Sequence, residues 1–205
     1  MTKGIFVAIE GVRGTGRRTL ADEIELKLAE KGIYTVVTEE PSDGEIGRRI
    51  RKILAGKSPM PTNSEFLKLS VKDRAEHIRR TICPFINLGH WVISAGYWLS
   101  TLAYGMLEDS AERYLQLHRD IIGEEMLYPH LTLLLDLEVD EALGRIQKAG
   151  RQFDWFAKAE KLQKIRTNYL ELANRPDLGR IVVIDAGANK EAVLKSAIQS
   201  IRPLL

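Results

Sequence analysis

The chain has 205 residues, of which 44% are hydrophobic and 28% charged, the proportions of a folded soluble protein rather than of a disordered or membrane-embedded one. Its formal charge of +2 does not argue for nucleic acid as a ligand, and the single cysteine, Cys83, excludes an internal disulfide and a four-cysteine metal site. No apolar run approaches a bilayer span, and the opening residues pass into a strand-like segment without a signal-peptide pattern, so the reading is a cytoplasmic protein in one domain, 1–205.

In chain order, the first buried-strand pattern is Ile5 to Ile9, followed by a helix predicted from about Arg18 to Glu30. A second strand, Tyr34 to Thr38, precedes a helix from Glu45 to Leu54. Thr62 with Glu65 forms a capping box that opens a long helix to about Asn87, which Pro84 ends or bends near its last turn. Cys83 lies in the apolar part of that helix and reads as a small core residue. The third strand is Trp91 to Ser94, with Trp91 and Trp98 read as core or dimer-contact residues. Asp109 with Glu112 resembles a second capping box before a helix from Tyr114 to Met126. Strands Leu131 to Leu135 and Ile181 to Ile184 complete the set, with helices Asp140 to Lys148, Ala157 to Ala173 and Lys190 to Ile201 beside them. Apolar strands alternating with helices predict an α/β protein: three layers, a five-stranded parallel sheet with helices on both faces.

The chemistry begins after the first strand, in Gly11-Val12-Arg13-Gly14-Thr15-Gly16-Arg17-Arg18-Thr19. A glycine-rich turn between strand and helix converges backbone N–H groups on phosphate oxygens, and a phosphate loop of this kind normally ends in Lys followed by Ser or Thr, the hydroxyl holding Mg²⁺. The frame survives at Gly11 and Gly16, but Arg17 stands in the lysine position and Arg18 in the hydroxyl position. Arginine keeps the charge with a different reach and donor geometry, whereas a guanidinium has no acceptor for a cation, and Thr19 comes one residue too late. The loop then reads as an anion site, or as a strand-to-helix turn that binds nothing. His77, His90, His118 and His130 are widely spaced, form no metal-ligand pattern and read as surface or helix-end residues. Arg48, Arg49, Arg51 and Lys52, like Asp120, Glu124 and Glu125, read as solvated helix faces.

Five stretches along nearly the whole chain carry a resemblance: the loop itself; Asp73-Arg74-Ala75-Glu76-His77 with Ile82, Pro84 and Gly89; Leu99 to Gly105; Pro129 to Asp136; and Arg166 with Tyr169 to Ala173. The chain resembles the thymidylate kinase family of P-loop nucleoside monophosphate kinases. That resemblance implies a homodimer paired through helices, and transfer of the ATP γ-phosphoryl group to dTMP with Mg²⁺.

Position by position, the resemblance implies an acid where Arg13 stands, and a Thr-Arg-Glu-Pro segment where the chain has Thr38-Glu39-Glu40-Pro41. Glu40 is kept, while Glu39 replaces a phosphate-facing cation. An Asp-Arg pair after the third strand is replaced by Ala95 and Gly96, and the aromatic residue that stacks on thymine by Ser70. Arg74 is carried over as the base-recognising arginine, with Tyr104 as a further remnant of the monophosphate site. A lid is expected near 149–156, where Arg151 is kept as a cation and Trp155 replaces a second one; Trp155 with Phe153 and Phe156 would form an interaction patch or pack on the core. The catalytic remnants are then Arg17 and Arg151.

The expectation is therefore a non-catalytic pseudokinase that acts by binding a phosphate or nucleotide, with no confident cofactor and an unidentified protein partner. Its alternative is an active kinase for dTMP or another nucleoside monophosphate, using ATP and Mg²⁺ with a metal site relocated to Glu10, Glu40 and Asp136. A third reading is a module that binds nucleic acid or phosphoprotein through the guanidinium cluster.

Overall fold

A computed structural model describes residues 4–150 and 158–205. Five strands, β1 (Phe6–Glu10), β2 (Thr35–Glu39), β3 (Trp91–Ala95), β4 (Leu131–Asp136) and β5 (Ile181–Asp185), form one sheet in the order β2-β3-β1-β4-β5, and all four pairings are parallel. Every residue of β1 and β3 is buried, which is why these segments read as unbroken apolar runs rather than as alternating ones. Burying each large aliphatic side chain of this core contributes about 1.5–3 kcal/mol relative to leaving it in water. The five-stranded parallel α/β fold expected from the alternation of strands and helices is the one observed.

The helices are α1 (Arg17–Ala29), α2 (Glu45–Leu54), α3 (Asn63–His77), α4 (Cys83–Asn87), α5 (Trp98–Gly105), α6 (Ala111–Ile121), α7 (Val139–Lys148) and α8 (Ala159–Ala173), which lie in the connections between strands, and α9 (Lys190–Ile201), which follows β5. The Thr62 box forms as expected: its hydroxyl accepts from the Glu65 N–H, and the Glu65 carboxylate accepts from the Thr62 N–H. Pro84 does not end the long helix. It occupies the first turn of α4, where a missing N–H is tolerated, and a π-helical turn, Ile78–Ile82, precedes it. Cys83 is half-buried there. The second capping prediction is off by one residue, because Ser110 rather than Asp109 accepts from the Arg113 N–H. The helix α5 was not predicted as one: it is apolar almost all round and lacks the amphipathic stripe by which surface helices are recognised.

This topology brings the carboxyl ends of β1 and β3 side by side, with Ile9 opposite Ala95, so that the loops after both strands open at the same edge of the sheet. That edge is where open parallel sheets bind ligands. No helix among the described residues is long and apolar enough to cross a membrane.

Candidate functional site

The glycine-rich loop leads from β1 into α1. Gly14 sits at φ +93°, and a Cβ there would lie 2.5 Å from the carbonyl oxygen of Ala142, so both backbone conformation and space require glycine. Gly16 caps α1 in the left-handed conformation without a side-chain hydrogen bond, and no acid lies in the first turn. Arg17 and Arg18 begin the helix instead, and Arg13 is in the loop before it. Cations at the positive end of a helix dipole are unfavourable unless an anion joins them. The Thr15 hydroxyl is engaged within the loop by the Val12 carbonyl at 2.9 Å. Arg18 is half-exposed and its Nε meets Asp22 at 2.9 Å, while Thr19 is exposed one residue further along α1.

The loop guanidiniums Arg13 and Arg17 line a cavity of about 280 Å³ together with Arg74, Glu40, Asp73, Ser70 and Tyr104. Ile50 and Leu54 of α2 and Phe66 and Leu67 of α3 supply its apolar wall. The volume is near the small end of ligand sites. The Arg17 guanidinium lies in front of Gly96: a Cβ on that glycine would be 3.1 Å from Arg17 Nη1. Gly96 itself is at φ +91°, with its N–H given to the Ile9 carbonyl and its carbonyl accepting from the Ser94 hydroxyl.

Behind the cavity is a buried polar network centred on Arg74, whose side chain is 1% exposed. Its Nη2 donates to Glu40 Oε2 at 2.5 Å and to the Tyr97 carbonyl at 2.7 Å; its Nη1 donates to the Thr101 hydroxyl at 3.0 Å and to His118 Nε2 at 2.7 Å. The guanidinium also stands 5.0 Å from the Tyr97 ring centroid. Among the described residues its Nε has no partner. The Tyr114 carbonyl can only accept, so His118 Nδ1 carries the proton and Nε2 is left to accept from Arg74. Burial, and then the charge of Arg74, depress the His118 pKa to about 3.

Glu40 is held on its other oxygen by His77 Nδ1 at 3.1 Å, and His77 Nε2 meets the Thr38 hydroxyl at 2.7 Å. The carboxylate of Asp73 accepts from both the N–H and the hydroxyl of Ser42, and burial raises its pKa. Glu10, at the end of β1, is fully buried. One of its oxygens accepts from the N–H groups of Tyr97 and Ser100, and the other from the Tyr169 hydroxyl. Burial raises its pKa, against the lowering effect first of Arg17 and then of Arg74. Asp136 is clamped by Arg166, which also reaches Glu138.

The donor set does not fit a divalent cation after Arg17. Arg18 has no acceptor, and the three carboxylates that a relocated metal site would need, Glu10, Glu40 and Asp136, each already hold N–H, hydroxyl or guanidinium partners.

The predicted site residues are therefore only partly gathered. Arg13, Arg17, Glu40, Ser70, Arg74 and Tyr104 share the cavity. The Ser70 hydroxyl donates to the Phe66 carbonyl at 3.0 Å. Ala95 is buried at the end of β3. Glu39 is not part of the lining; its carboxylate faces Arg51 of α2 at 3.8 Å. Arg151, Trp155, Phe153 and Phe156 lie outside the described residues. His77 and His118 do lie in the last turns of their helices, as expected, but both are buried and belong to the network. Their roles, and those of Thr101, Ser100, Tyr97 and Phe66, were not foreseen. Phe66 is one helical turn before Ser70, and that spacing alone could have placed it on the same face.

Comparisons with known proteins bear on the whole of this region. A family model described as Thymidylate kinase matches residues 9–197. A protein named thymidylate kinase from Carboxydothermus hydrogenoformans is 34% identical over 194 residues, covering 93% of both chains. A probable thymidylate kinase from Archaeoglobus fulgidus is 32% identical over 98% of this chain and 96% of its own. A thymidylate kinase from Cereibacter sphaeroides is 35% identical over 99% of this chain and 96% of its own.

Proposed function

The chain belongs to the thymidylate kinase family, and from that premise we propose that it is a pseudokinase: a member that binds a nucleoside monophosphate and transfers phosphoryl groups slowly or not at all. The observation that carries this reading is the Arg18–Asp22 ion pair at 2.9 Å. The residue after Arg17, where a hydroxyl would hold Mg²⁺, is a cation with no oxygen to offer. Phosphoryl transfer depends on positioned charge around the transferring group, and a single well-placed arginine can be worth about 10³–10⁵ in rate. Ala95 and Gly96, at the mouth of β3, supply no charge. Binding is supported by different features: Arg13 in the loop with Arg17 and Arg18 at the start of α1, and the apolar residues that line the cavity.

Titration calorimetry tests the reading. The expected result is saturable binding of dTMP, and an ATP affinity indifferent to Mg²⁺; an ATP affinity that tightens sharply with Mg²⁺ contradicts it. A second reading, an active kinase for dTMP or another nucleoside monophosphate with Arg17 in place of the lysine, is favoured by the names of the relatives, which align over nearly their full lengths. The family resemblance also supports a cytoplasmic homodimer made of one domain, with a lid near 149–156.

A further inference from the structure

Arg17 begins the helix that follows the phosphate loop, yet it lines the cavity, with its guanidinium in front of Gly96. Two features hold open the space that it uses. Gly96 has no side chain, and its backbone is fixed on both sides, by the Ile9 carbonyl and by the Ser94 hydroxyl. A β-carbon there would press on Arg17 Nη1 at 3.1 Å. Arg74, the buried cation of the cavity, is committed: its two terminal nitrogens hold Glu40, Tyr97, Thr101 and His118. No described residue accepts a hydrogen bond from Arg17, and Glu10, a carboxylate that feels its charge, is fully buried and committed to the Tyr97 and Ser100 N–H groups and the Tyr169 hydroxyl. A half-buried guanidinium lining a cavity that is also lined by Ile50, Leu54, Phe66 and Leu67 is matched by a ligand carrying one phosphate on an apolar body.

We infer that Arg17 is the phosphate clamp of the cavity, serving the single phosphate of a bound nucleoside monophosphate rather than the β and γ phosphates of a triphosphate in the loop, and that Gly96 is the residue that admits it. The cavity, at about 280 Å³, has room for a monophosphate of this kind at the small end of ligand-site sizes. This inference rests on reading the cavity as a nucleotide site.

The experiment compares the affinities of dTMP and of thymidine, which lacks the phosphate, for the full chain and for Arg17→Ala. The expected result is a loss of about tenfold to a hundredfold for dTMP, the worth of one charge-assisted contact, with thymidine affinity unchanged. Arg17→Lys, which keeps the charge without the planar fork, falls between the two. Lys27→Ala, which removes the same charge at the other end of α1, leaves both affinities as they were. An equal loss for dTMP and thymidine, or a loss confined to ATP, overturns the inference while leaving the cavity a nucleotide site. Failure of the unsubstituted protein to bind dTMP at all overturns the reading of the cavity, and the clamp with it.

Discussion

Glu40 and Arg74 meet at 2.5 Å in the interior, with their side chains 8% and 1% exposed. The pair joins the end of β2 to α3, and through His77 and His118 it extends to the last turns of two helices. It is therefore both the rear wall of the cavity and a structural bolt. A buried pair contributes little net stability over an apolar replacement, but removing one partner strands the other charge.

Glu40→Ala is accordingly expected to destabilise the fold by about 3–5 kcal/mol, as measured by urea denaturation. Arg74→Met, which strands Glu40 and removes the donor to His118 Nε2, falls in the same range. A loss below about 1 kcal/mol for Glu40→Ala, the scale of an exposed ion pair, contradicts the burial described.

His118 gives the fold a defined acid sensitivity. Its folded pKa of about 3 lies below the ordinary 6.5, so the unfolded chain takes up a proton that the folded one refuses. The stability contributed by the neutral ring is complete above pH 6.5 and is lost as pH falls toward 3, with a slope of at most about 1.4 kcal/mol per pH unit. The difference in unfolding free energy between the protein and His118→Gln should shrink across that window. A difference independent of pH contradicts it.

Glu10 acts in the opposite direction. Burial raises its pKa above 4.5, so the folded state holds the proton more tightly than the unfolded one. That stabilisation is full below pH 4.5 and is lost as pH rises through the folded pKa. Glu10→Gln keeps an acceptor for the Tyr97 and Ser100 N–H groups and removes the ionisation, so it should gain stability relative to the unsubstituted protein as pH rises from 5 to 8, on a urea scale repeated at each pH. The reverse trend rules out the assignment.

The cationic start of α1 predicts stabilisation by anions. Inorganic phosphate at about a hundred times its dissociation constant should raise stability by about 2.7 kcal/mol. The Arg13→Ala/Arg17→Ala double variant should keep only the general salting effect, read as a melting-temperature difference at matched ionic strength. Equal shifts for both proteins would remove the anion site.

The glycine frame and the five strands were legible because each rests on local rules: glycine for left-handed turns, and continuous apolar runs for strands buried on both faces. The start of α1 was legible too, as two arginines standing where a phosphate loop has Lys followed by Ser or Thr, and such departures from a local rule concentrate at functional sites. The apolar wall was not, since Ile50, Leu54, Phe66 and Leu67 have the same helical spacing as core residues and differ only in facing a cavity. Contacts between distant segments were invisible in principle: His118 meets Arg74 across 44 positions, and Glu10 meets Tyr169 across 159. Glu39 shows the limit of reading charge from position alone. Its neighbour Glu40 turns into the cavity, while Glu39, at the end of β2, faces Arg51 outside it, because successive residues of an extended chain point to opposite sides.

The central claim is that a nucleotide-binding frame lacks the groups for phosphoryl transfer, and the turnover of dTMP with saturating ATP and Mg²⁺ tests it most directly. The expected rate is at least a hundredfold below the range of about 1–100 s⁻¹ usual for kinases. A turnover of about 1 s⁻¹ or more from the purified chain would show that Arg17 and Arg18 sustain the reaction, and would contradict the account.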